Sequence, residues 1–218
     1  MKTILSTGLV CLLLSLAAGR APAASIQCAN LIYGGTQTSR CFSDEFLSTV
    51  QKETTISTER RFKSVKLGSE ELFKFPFAIM TGEKDFHLTP EERTNLRKYL
   101  ESGGFLLASA GCSNKEFDKA FRRELKTVFQ DKELSQLPDT HMIYKTVYQI
   151  KELKTKGHAS GGKVALEGLA HGGKTVLIYS PQGLNDTPHT EGCCCCGGAE
   201  IINAMEVNVN IFAYALLY

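Results

Sequence analysis

One stretch, residues 89–112, constrains the fold more than any other part of the chain. It opens with a helix signal, since Thr89 can cap the first turn, Pro90 suits the first helical position and Glu92 completes a capping box. The run Phe105–Ala108 follows the helix, and it is too continuously apolar to keep one face in water. A short run of this kind is typical of a parallel strand covered on both sides, so the stretch predicts an α/β fold.

A second helix is predicted after this strand, behind the turn Ser109–Cys112. Ser113 and Glu116 have the spacing of a capping box, and apolar residues then recur at helical spacing. The buried stripe of this helix is predicted to contain Phe117, Ala120, Phe121, Leu125 and Val128. Because ligands bind outside the carboxyl ends of the strands in open α/β sheets, residues 109–113 are the first place to look for chemistry.

The rest of the chain continues the alternation of strands and helices. A helix is predicted from Ser43, a loop over Leu134–Pro138 and an extended segment over Val147–Ile150. Short apolar runs predict further strands, the last two of them joined as a hairpin: Gln27–Tyr33, Phe62–Val65, Phe75–Met80, Val164–Leu169 and Thr175–Tyr179.

A closing amphipathic helix is predicted from Ala199, packed on the sheet. Its apolar side chains are Ile201, Ile202, Met205, Val209, Phe212, Ala213 and Leu216. Glu200 and Glu206 in this segment argue against a membrane span. The whole succession of elements implies right-handed crossovers and a mostly parallel sheet, which predicts a flavodoxin-like three-layer α/β sandwich.

Length and charge limit the classes of protein to which the chain can belong. Its 218 residues suffice for one α/β domain with a full core and hardly for two. The formal net charge is only +2, and no stripe of Lys and Arg interleaved with aromatic residues occurs. We therefore expect no nucleic-acid partner.

The amino terminus has the features of a secretory signal peptide. Lys2 supplies a positive charge, Leu9–Ala18 an apolar run, and Ala21–Ala23 small residues for cleavage. We therefore expect residues 1–23 to be removed and residues 24–218 to form a single domain. That domain is expected to be exported, to the periplasm or the extracellular space, with no transmembrane anchor.

The cysteines are the least ordinary feature of the composition. Of the eight, Cys11 lies in the predicted signal peptide, which leaves seven in the mature chain. Three of these are isolated in the sequence and four are consecutive: Cys28, Cys41, Cys112, and the run Cys193, Cys194, Cys195 and Cys196. Because seven is odd, at least one thiol is free, metal-bound or paired between chains.

The cysteine run, Cys193–Cys196, admits three interpretations, of which one is that its thiols stay free. In an exported protein, members of the run can form disulfides with Cys28, Cys41 or Cys112. Alternatively, the run can supply ligands to a metal ion.

Only alternate cysteines of the run can ligate the same metal ion, because neighbouring side chains in an extended chain point to opposite faces. The possible pairs are Cys193 with Cys195, or Cys194 with Cys196. Further ligands would come from Cys112, His171 or His189. Thiolate ligands favour zinc or an iron–sulfur centre over magnesium or calcium.

Several motifs together resemble the domain of unknown function 4159 family over nearly the whole mature chain. The residues that carry the resemblance are Phe75-Pro76-Phe77, Met80-Thr81-Gly82, Phe86, Glu91-Glu92, Leu96-Arg97, Tyr99-Leu100, Gly103-Gly104-Phe105-Leu106, Phe117-Asp118, Phe121-Arg122, Leu137-Pro138, His141 and Val207-Asn208-Val209-Asn210-Ile211. The resemblance implies a fold similar to class I glutamine amidotransferases, and it implies no reaction or substrate. Acidic residues that often follow the Gly-Gly-Phe-Leu strand in that family are replaced here by Ser109–Cys112.

The resemblance leaves two alternative roles for Cys112, in catalysis or in a binding module. Amidotransferase-like folds place a nucleophilic cysteine at such a strand-to-helix turn, where the positive end of the helix stabilises a thiolate. His189 and Glu191 have the His-x-Glu spacing that class I amidotransferases use for the base and its orienting partner, so a thiol-dependent hydrolase or amidase is one hypothesis. However, Asn114 stands where a small residue normally follows the nucleophile. The leading hypothesis is therefore a binding or accessory module without turnover, whose ligand is an unidentified protein or small molecule.

Overall fold

A computed structural model describes residues 25–35, 37–38, 45–155, 164–184 and 201–218. Within these residues, four α-helices cover the two faces of one eight-stranded sheet. The strands are β1 (Ala29–Tyr33), β2 (Gln37–Thr38), β3 (Lys63–Lys66), β4 (Phe77–Gly82), β5 (Phe105–Ala110), β6 (Ser135–Gln136), β7 (Glu167–His171) and β8 (Lys174–Ser180). The helices are α1 (Glu45–Glu53), α2 (Pro90–Glu101), α3 (Lys115–Val128) and α4 (Ala204–Leu217).

The sheet is mostly parallel, as the alternation of elements predicts. The strands β3, β1, β4, β5 and β8 lie side by side in that order and run in the same direction. Antiparallel pairing adds β7 and then β6 beyond β8, and the short β2 beside β1. The prediction of a hairpin before Ser180 is confirmed, because β7 and β8 are joined by a tight turn at Gly172 and Gly173.

The sheet separates two apolar clusters, one on each of its faces. On β5, Leu106, Ala108 and Ala110 pack with α2 and α3, on what we call the α2/α3 face. Phe105 and Leu107 pack with α1 and α4, on the α1/α4 face. Every residue of this strand is buried, which confirms the expectation that helices cover both sides.

The start of α2 follows its local sequence signals. Thr89 Oγ1 accepts from the Glu92 backbone N–H, and a Glu92 carboxylate oxygen accepts from the Thr89 N–H at 2.8 Å, which completes the predicted capping box. Gly103 ends the helix with φ of +100°, a conformation that glycine adopts without strain. At Gly104 an added Cβ would overlap the Tyr99 ring, so the next glycine is required by packing.

The closing helix differs from its prediction. It begins at Ala204, and it is buried on nearly all sides from Val207 to Tyr214, so it is not amphipathic. Ile202, which was expected to cover the sheet, is 62% exposed. The reason is tertiary, because α4 packs on the sheet, on α1 and on the turn at Met142–Tyr144 at once.

Three further predictions are corrected. The residue that caps α3 is Asn114, whose Oδ1 accepts the N–H groups of Glu116 and Phe117; Ser113 is not the cap. Part of the expected loop before Pro138 pairs with β7 as the short β6. Residues 147–150, expected to be extended, instead bend at Val147 and Tyr148, where both backbone N–H groups bond to a side chain of α4. No helix in the part of the chain that the structure describes is long and apolar enough to cross a membrane.

Candidate functional site at the carboxyl edge of the sheet

Three neighbouring parallel strands end at the same edge of the sheet. Gly82 of β4 is in register with Ala110 of β5, and Ser109 of β5 is in register with Ser180 of β8. The residues that follow these strands therefore meet at one edge, which is where ligands bind in open α/β sheets. The sequence points to the segment after β5, and the structure adds the segments after β4 and β8.

The backbone at Cys112 is strained. Cys112 and Ser113 have φ values of 52° and 54°, in the left-handed region that side chains other than glycine rarely adopt. The segment Gly111–Ser113 forms a tight turn between β5 and the cap of α3. Such strain costs about 1–3 kcal/mol per residue and is concentrated at functional sites, which makes this turn a candidate for one.

The Cys112 thiol lies against a carboxylate. Its Sγ donates to Oε1 of Glu83 at 3.6 Å, within the range of a sulfur hydrogen bond. Glu83 is the first residue after β4, and sequence reasoning missed it because the pairing of β4 with β5 is not a local signal. A neighbouring carboxylate repels a thiolate, so the contact favours the neutral thiol.

Packing fixes the position of Glu83. Just before it, Gly82 passes between Tyr33 and Phe117, where an added Cβ would overlap the Tyr33 hydroxyl and lie 2.8 Å from the Phe117 ring. Tyr33 donates its hydroxyl to the Thr81 carbonyl at 2.7 Å, and burial raises the pKa of this tyrosine well above its ordinary value. The end of β4 is thereby held against β1 and α3.

The histidines of the described residues contact other groups. His87 Nδ1 lies 3.4 Å from Glu124 on α3, and His171 Nδ1 lies 2.7 Å from Lys132 Nζ. His141 accepts from the Ile143 N–H at 3.2 Å, and burial lowers its pKa. In each case these contacts explain the position of the imidazole without a catalytic role.

The predicted catalytic partners of Cys112 and the predicted metal ligands of the cysteine run lie outside the described residues. The partners are His189 and Glu191, the ligands are Cys193, Cys194, Cys195 and Cys196, and Cys41 lies outside as well. Both roles therefore stay predictions. The described residues on either side of this segment nevertheless lie close together near the carboxyl edge, because the Ile201 N–H donates to the Gly183 carbonyl at 3.0 Å.

The structure does not bring His171 and Cys112 together as ligands of one metal, so at most one of them can join Cys193 and Cys195, or Cys194 and Cys196. His171 pairs with Lys174 at the first residue of β8, and Cys112 follows the opposite end of the parallel neighbour β5. The seven residues of β8 separate these edges by about 20 Å at about 3.3 Å per residue. Within the described ranges no cluster of three or more His, Cys, Asp or Glu side chains could hold a metal ion.

Cys28 is a core residue with a free thiol. It is fully buried one residue before β1, and burial raises its pKa to about 12. A thiol in this environment is inert. The structure therefore assigns no disulfide to Cys28, which corrects its predicted candidacy as a partner of the cysteine run.

A row of buried hydroxyl residues, which was not predicted from the sequence, crosses the same edge. Thr81, Ser109 and Ser180 are in register on β4, β5 and β8, and all three are buried. Alternation along the strands places them on the α1/α4 face. The sequence signal that could have revealed this row is a hydroxyl residue at the end of each apolar strand run.

Comparison with models of known protein families identifies the family of this chain. A family model described as a domain of unknown function (DUF4159) matches residues 27–216, so the chain belongs to that family and the resemblance noted above is confirmed. No curated protein matches the chain.

Proposed function

We propose that this member of the DUF4159 family is an exported binding or accessory module that holds a ligand at the carboxyl edge of its sheet. The mature chain, residues 24–218, forms a single domain after removal of the signal peptide. Its ligand is a small molecule or a segment of a partner protein. The module has no turnover of its own.

The strand order supports a flavodoxin-like fold of the class I glutamine amidotransferase type. Numbered by their order along the chain, the five parallel strands β3, β1, β4, β5 and β8 follow the sequence 2-1-3-4-5 of flavodoxin-like sheets. In such folds the carboxyl edge is the ligand edge, and the strained Cys112 turn and the buried hydroxyl row both lie there.

The observation that carries the binding proposal is the contact between Cys112 and Glu83. A cysteine nucleophile must lose its proton, and the imidazole of a Cys-His pair achieves this by accepting the proton and remaining beside the thiolate as a cation. Glu83 instead places a carboxylate 3.6 Å from the sulfur. A neutral thiol that is hydrogen-bonded to a carboxylate is suited to recognition and poorly suited to attack.

The alternative is a thiol-dependent hydrolase or amidase, and the backbone of Cys112 favours it. A nucleophile on a sharp, strained strand-to-helix turn is a recurrent catalytic device, and Cys112 has φ of 52° in such a turn. In this alternative His189 takes the thiol proton and Glu191 orients His189. The thiolate then attacks a carbonyl carbon, the leaving group receives the proton from His189, and water hydrolyses the thioester.

Alkylation with iodoacetamide separates the two functions. For the binding module, Cys112 reacts no faster than an ordinary exposed thiol near pH 7, the His189→Ala variant reacts at the same rate, and Glu83→Gln reacts faster because a negative charge is removed. A fast reaction that is lost in His189→Ala would instead establish the hydrolase. Cys112→Ser identifies the labelled site, and Cys28 serves as an unreactive internal reference.

The cysteine run Cys193–Cys196 supports a second proposal, a thiol-rich site with either disulfides or bound zinc or an iron–sulfur centre. Elemental analysis of untagged protein, with a thiol count in denaturant before and after chelation, separates these states. With disulfides, the thiols of Cys28 and Cys112 and at least one of the other five mature cysteines are detectable and no metal is found, whereas a metal site releases further thiols when the chelator removes the ion.

Serine variants of the run show which cysteines are metal ligands. If Cys193 and Cys195 hold the ion, their variants lose the metal while those of Cys194 and Cys196 keep it, and the reverse holds for the other pair. An equal loss in all four variants would contradict ligation by alternate cysteines.

A further inference from the structure

One side of the sheet ends in a strand with no neighbour beyond it. Strand β3 pairs in parallel with β1, and among the described strands it has no second partner. Three of its four residues are exposed, and only Val65 is buried. A strand in this position presents unpaired backbone groups to solvent. We call this flank of the sheet the β3 side, which is distinct from the carboxyl edge at the strand ends.

The hydrogen bonds of β3 show which backbone groups are unpaired. The N–H groups of Lys63 and Leu67 donate to carbonyls in or next to β1, each at 2.9 Å. Because alternate residues of a strand bond to the same neighbour, Ser64 and Lys66 direct their N–H and C=O groups away from β1. The Lys66 carbonyl accepts from the Ser69 N–H at 3.0 Å. The Ser64 N–H and C=O and the Lys66 N–H are left without a backbone partner in the part of the chain that the structure describes.

The surface around these groups is positively charged. Of the eight residues that lead up to the end of β3, four are basic and one is acidic, whereas the whole chain has a net charge of only +2. The basic residues are Arg60, Arg61, Lys63 and Lys66, and all four are exposed. Lys63 pairs with Glu71 at 2.6 Å, and the other three form no ion pair with any described residue. The β3 side therefore offers both hydrogen-bonding groups and unneutralised charge.

Charge decides which kind of strand can pair here. A second copy of the chain would bring its own basic residues against these, and like charges that face each other across a strand pair are destabilising. An acidic strand is attracted by the same residues. Lysines on the outermost strand thus oppose pairing between copies and favour an acidic partner.

We propose that the β3 side binds an extended, acidic segment of a partner protein, which adds to the sheet as one further strand. Its backbone bonds to the N–H and C=O of Ser64 and to the N–H of Lys66, and its carboxylates lie near Arg60, Arg61 and Lys66. In this mode of recognition the main-chain bonds supply affinity and the side chains supply specificity. The surface is separate from the carboxyl edge, so the inference goes beyond the function proposed above.

Amide hydrogen exchange of the full chain, followed by nuclear magnetic resonance, tests this proposal. The probe is the peptide acetyl-Glu-Thr-Glu-Thr-Glu-Thr-amide. In the free chain the amides of Ser64 and Lys66 should exchange fast and that of Val65 slowly, because only Val65 faces β1. The peptide is expected to slow exchange at Ser64 and Lys66 saturably and to leave Val65 unchanged.

Two control peptides separate backbone pairing from simple attraction of charge. The first has the same sequence with every backbone N–H methylated, so it keeps its charge and cannot donate to the Ser64 carbonyl. We expect it not to slow exchange at Ser64 or Lys66. The second has glutamine in place of each glutamate, and it should bind at least about tenfold more weakly because it lacks the negative charges.

Variants of the protein locate the contact. Lys66→Glu is expected to weaken peptide binding about fivefold, the order expected for one surface ion pair. Ser64→Pro removes an outward N–H, which an outermost strand tolerates, and it should abolish the slowed exchange at Lys66. If Ser64→Pro does not fold, the exposed Lys66→Glu variant keeps the measurement available. Lys119→Glu is the matched control, because it makes the same charge change at an exposed site on α3 and should leave binding unchanged.

Three results would overturn the proposal. The first is equal binding of the peptide and its methylated form, since charge alone would then explain the attraction. The second is slow exchange of Ser64 and Lys66 in the free chain, which would show that the β3 side is already covered, by a second copy if protection rises with protein concentration. The third is no binding of the peptide. None of these results bears on the carboxyl edge, whose proposed function is tested separately through Cys112.

Discussion

Asn210 and Tyr148 form a two-way hydrogen bond between a side chain and a backbone. Asn210 Oδ1 accepts from the Tyr148 N–H at 2.8 Å, and its Nδ2 donates to the Tyr148 carbonyl at 2.9 Å. The same amide also accepts from Val147 and donates to Ile143. A single fully buried side chain thus replaces the strand pairing that residues 147–150 lack.

Replacing Asn210 with leucine should destabilise the protein by several kcal/mol, about 1–3 kcal/mol for each backbone group left buried without a partner. Chemical denaturation measures the loss. Asn203→Ala is the matched control, because Asn203 bonds to the backbone of Lys154 and Glu152 at an exposed site where water can replace it. Equal losses in the two variants would show that the Asn210 bonds are not important to stability.

Gly82→Ala should also destabilise the fold, by about 1–3 kcal/mol, because the new methyl group overpacks the core between Tyr33 and Phe117. Gly103→Ala provides the comparison. Its Cβ would meet open space, and only its φ of +100° opposes the change, so we expect a loss near 1 kcal/mol. Thermal melts of both variants, with the Tyr33 environment followed by near-ultraviolet circular dichroism, test this. An unchanged tyrosine signal in Gly82→Ala would contradict the packing account.

His141 should make stability sensitive to acid. Its Nδ1 accepts from Ile143 N–H, so Nε2 carries the proton and contacts Thr175, which describes a neutral ring. Burial lowers the folded-state pKa below the unfolded value of about 6.5, so the stabilisation is present above that pH and is lost as pH falls through the folded pKa. Urea unfolding from about pH 7 to about pH 5 should show a smaller loss in His141→Gln than in the unmodified chain. Parallel pH curves would refute this role.

Cys28 should make the stability of the protein sensitive to alkaline pH. Burial raises its folded pKa to about 12, so its contribution to stability is complete below the unfolded pKa and is lost as pH rises above it. Once pH exceeds the unfolded thiol value of about 8.5, the protein should lose about 1.4 kcal/mol per pH unit more than Cys28→Ala does. Denaturation midpoints of both proteins at about pH 8 and about pH 10 measure the difference. Identical slopes would place this thiol in contact with water.

The parts of the fold that the sequence predicts are those with local signals. The cap of α2 depends on Thr89, Pro90 and Glu92, which are close together in the chain, and it forms as predicted. The surroundings of α4 are distant in sequence, so the helical period of its apolar residues did not reveal that Asn208 and Asn210 are fully buried. Burial of those residues is decided by packing against other elements.

In the candidate site, too, residues with local sequence signals were predicted and contacts between distant residues were not. Cys112 was identified because a turn between a buried strand and a helix is visible in the sequence. Glu83 lies 29 positions away and meets Cys112 only because β4 pairs with β5 in the register Gly82 to Ala110. Sequence patterns predict that strands exist and leave their order open, so contacts across the edge had to come from the structure.

The protonation state of Cys112 tests the central claim most directly. The chemical shift of its ¹³Cβ, followed from about pH 5 to about pH 8, reports ionisation of the thiol without a chemical probe. Because Glu83 faces the sulfur, we expect no transition in this range, and the same flat profile in His189→Ala. A transition within this range that disappears in His189→Ala would show a thiolate stabilised by an imidazole, and it would contradict the binding-module account in favour of the hydrolase.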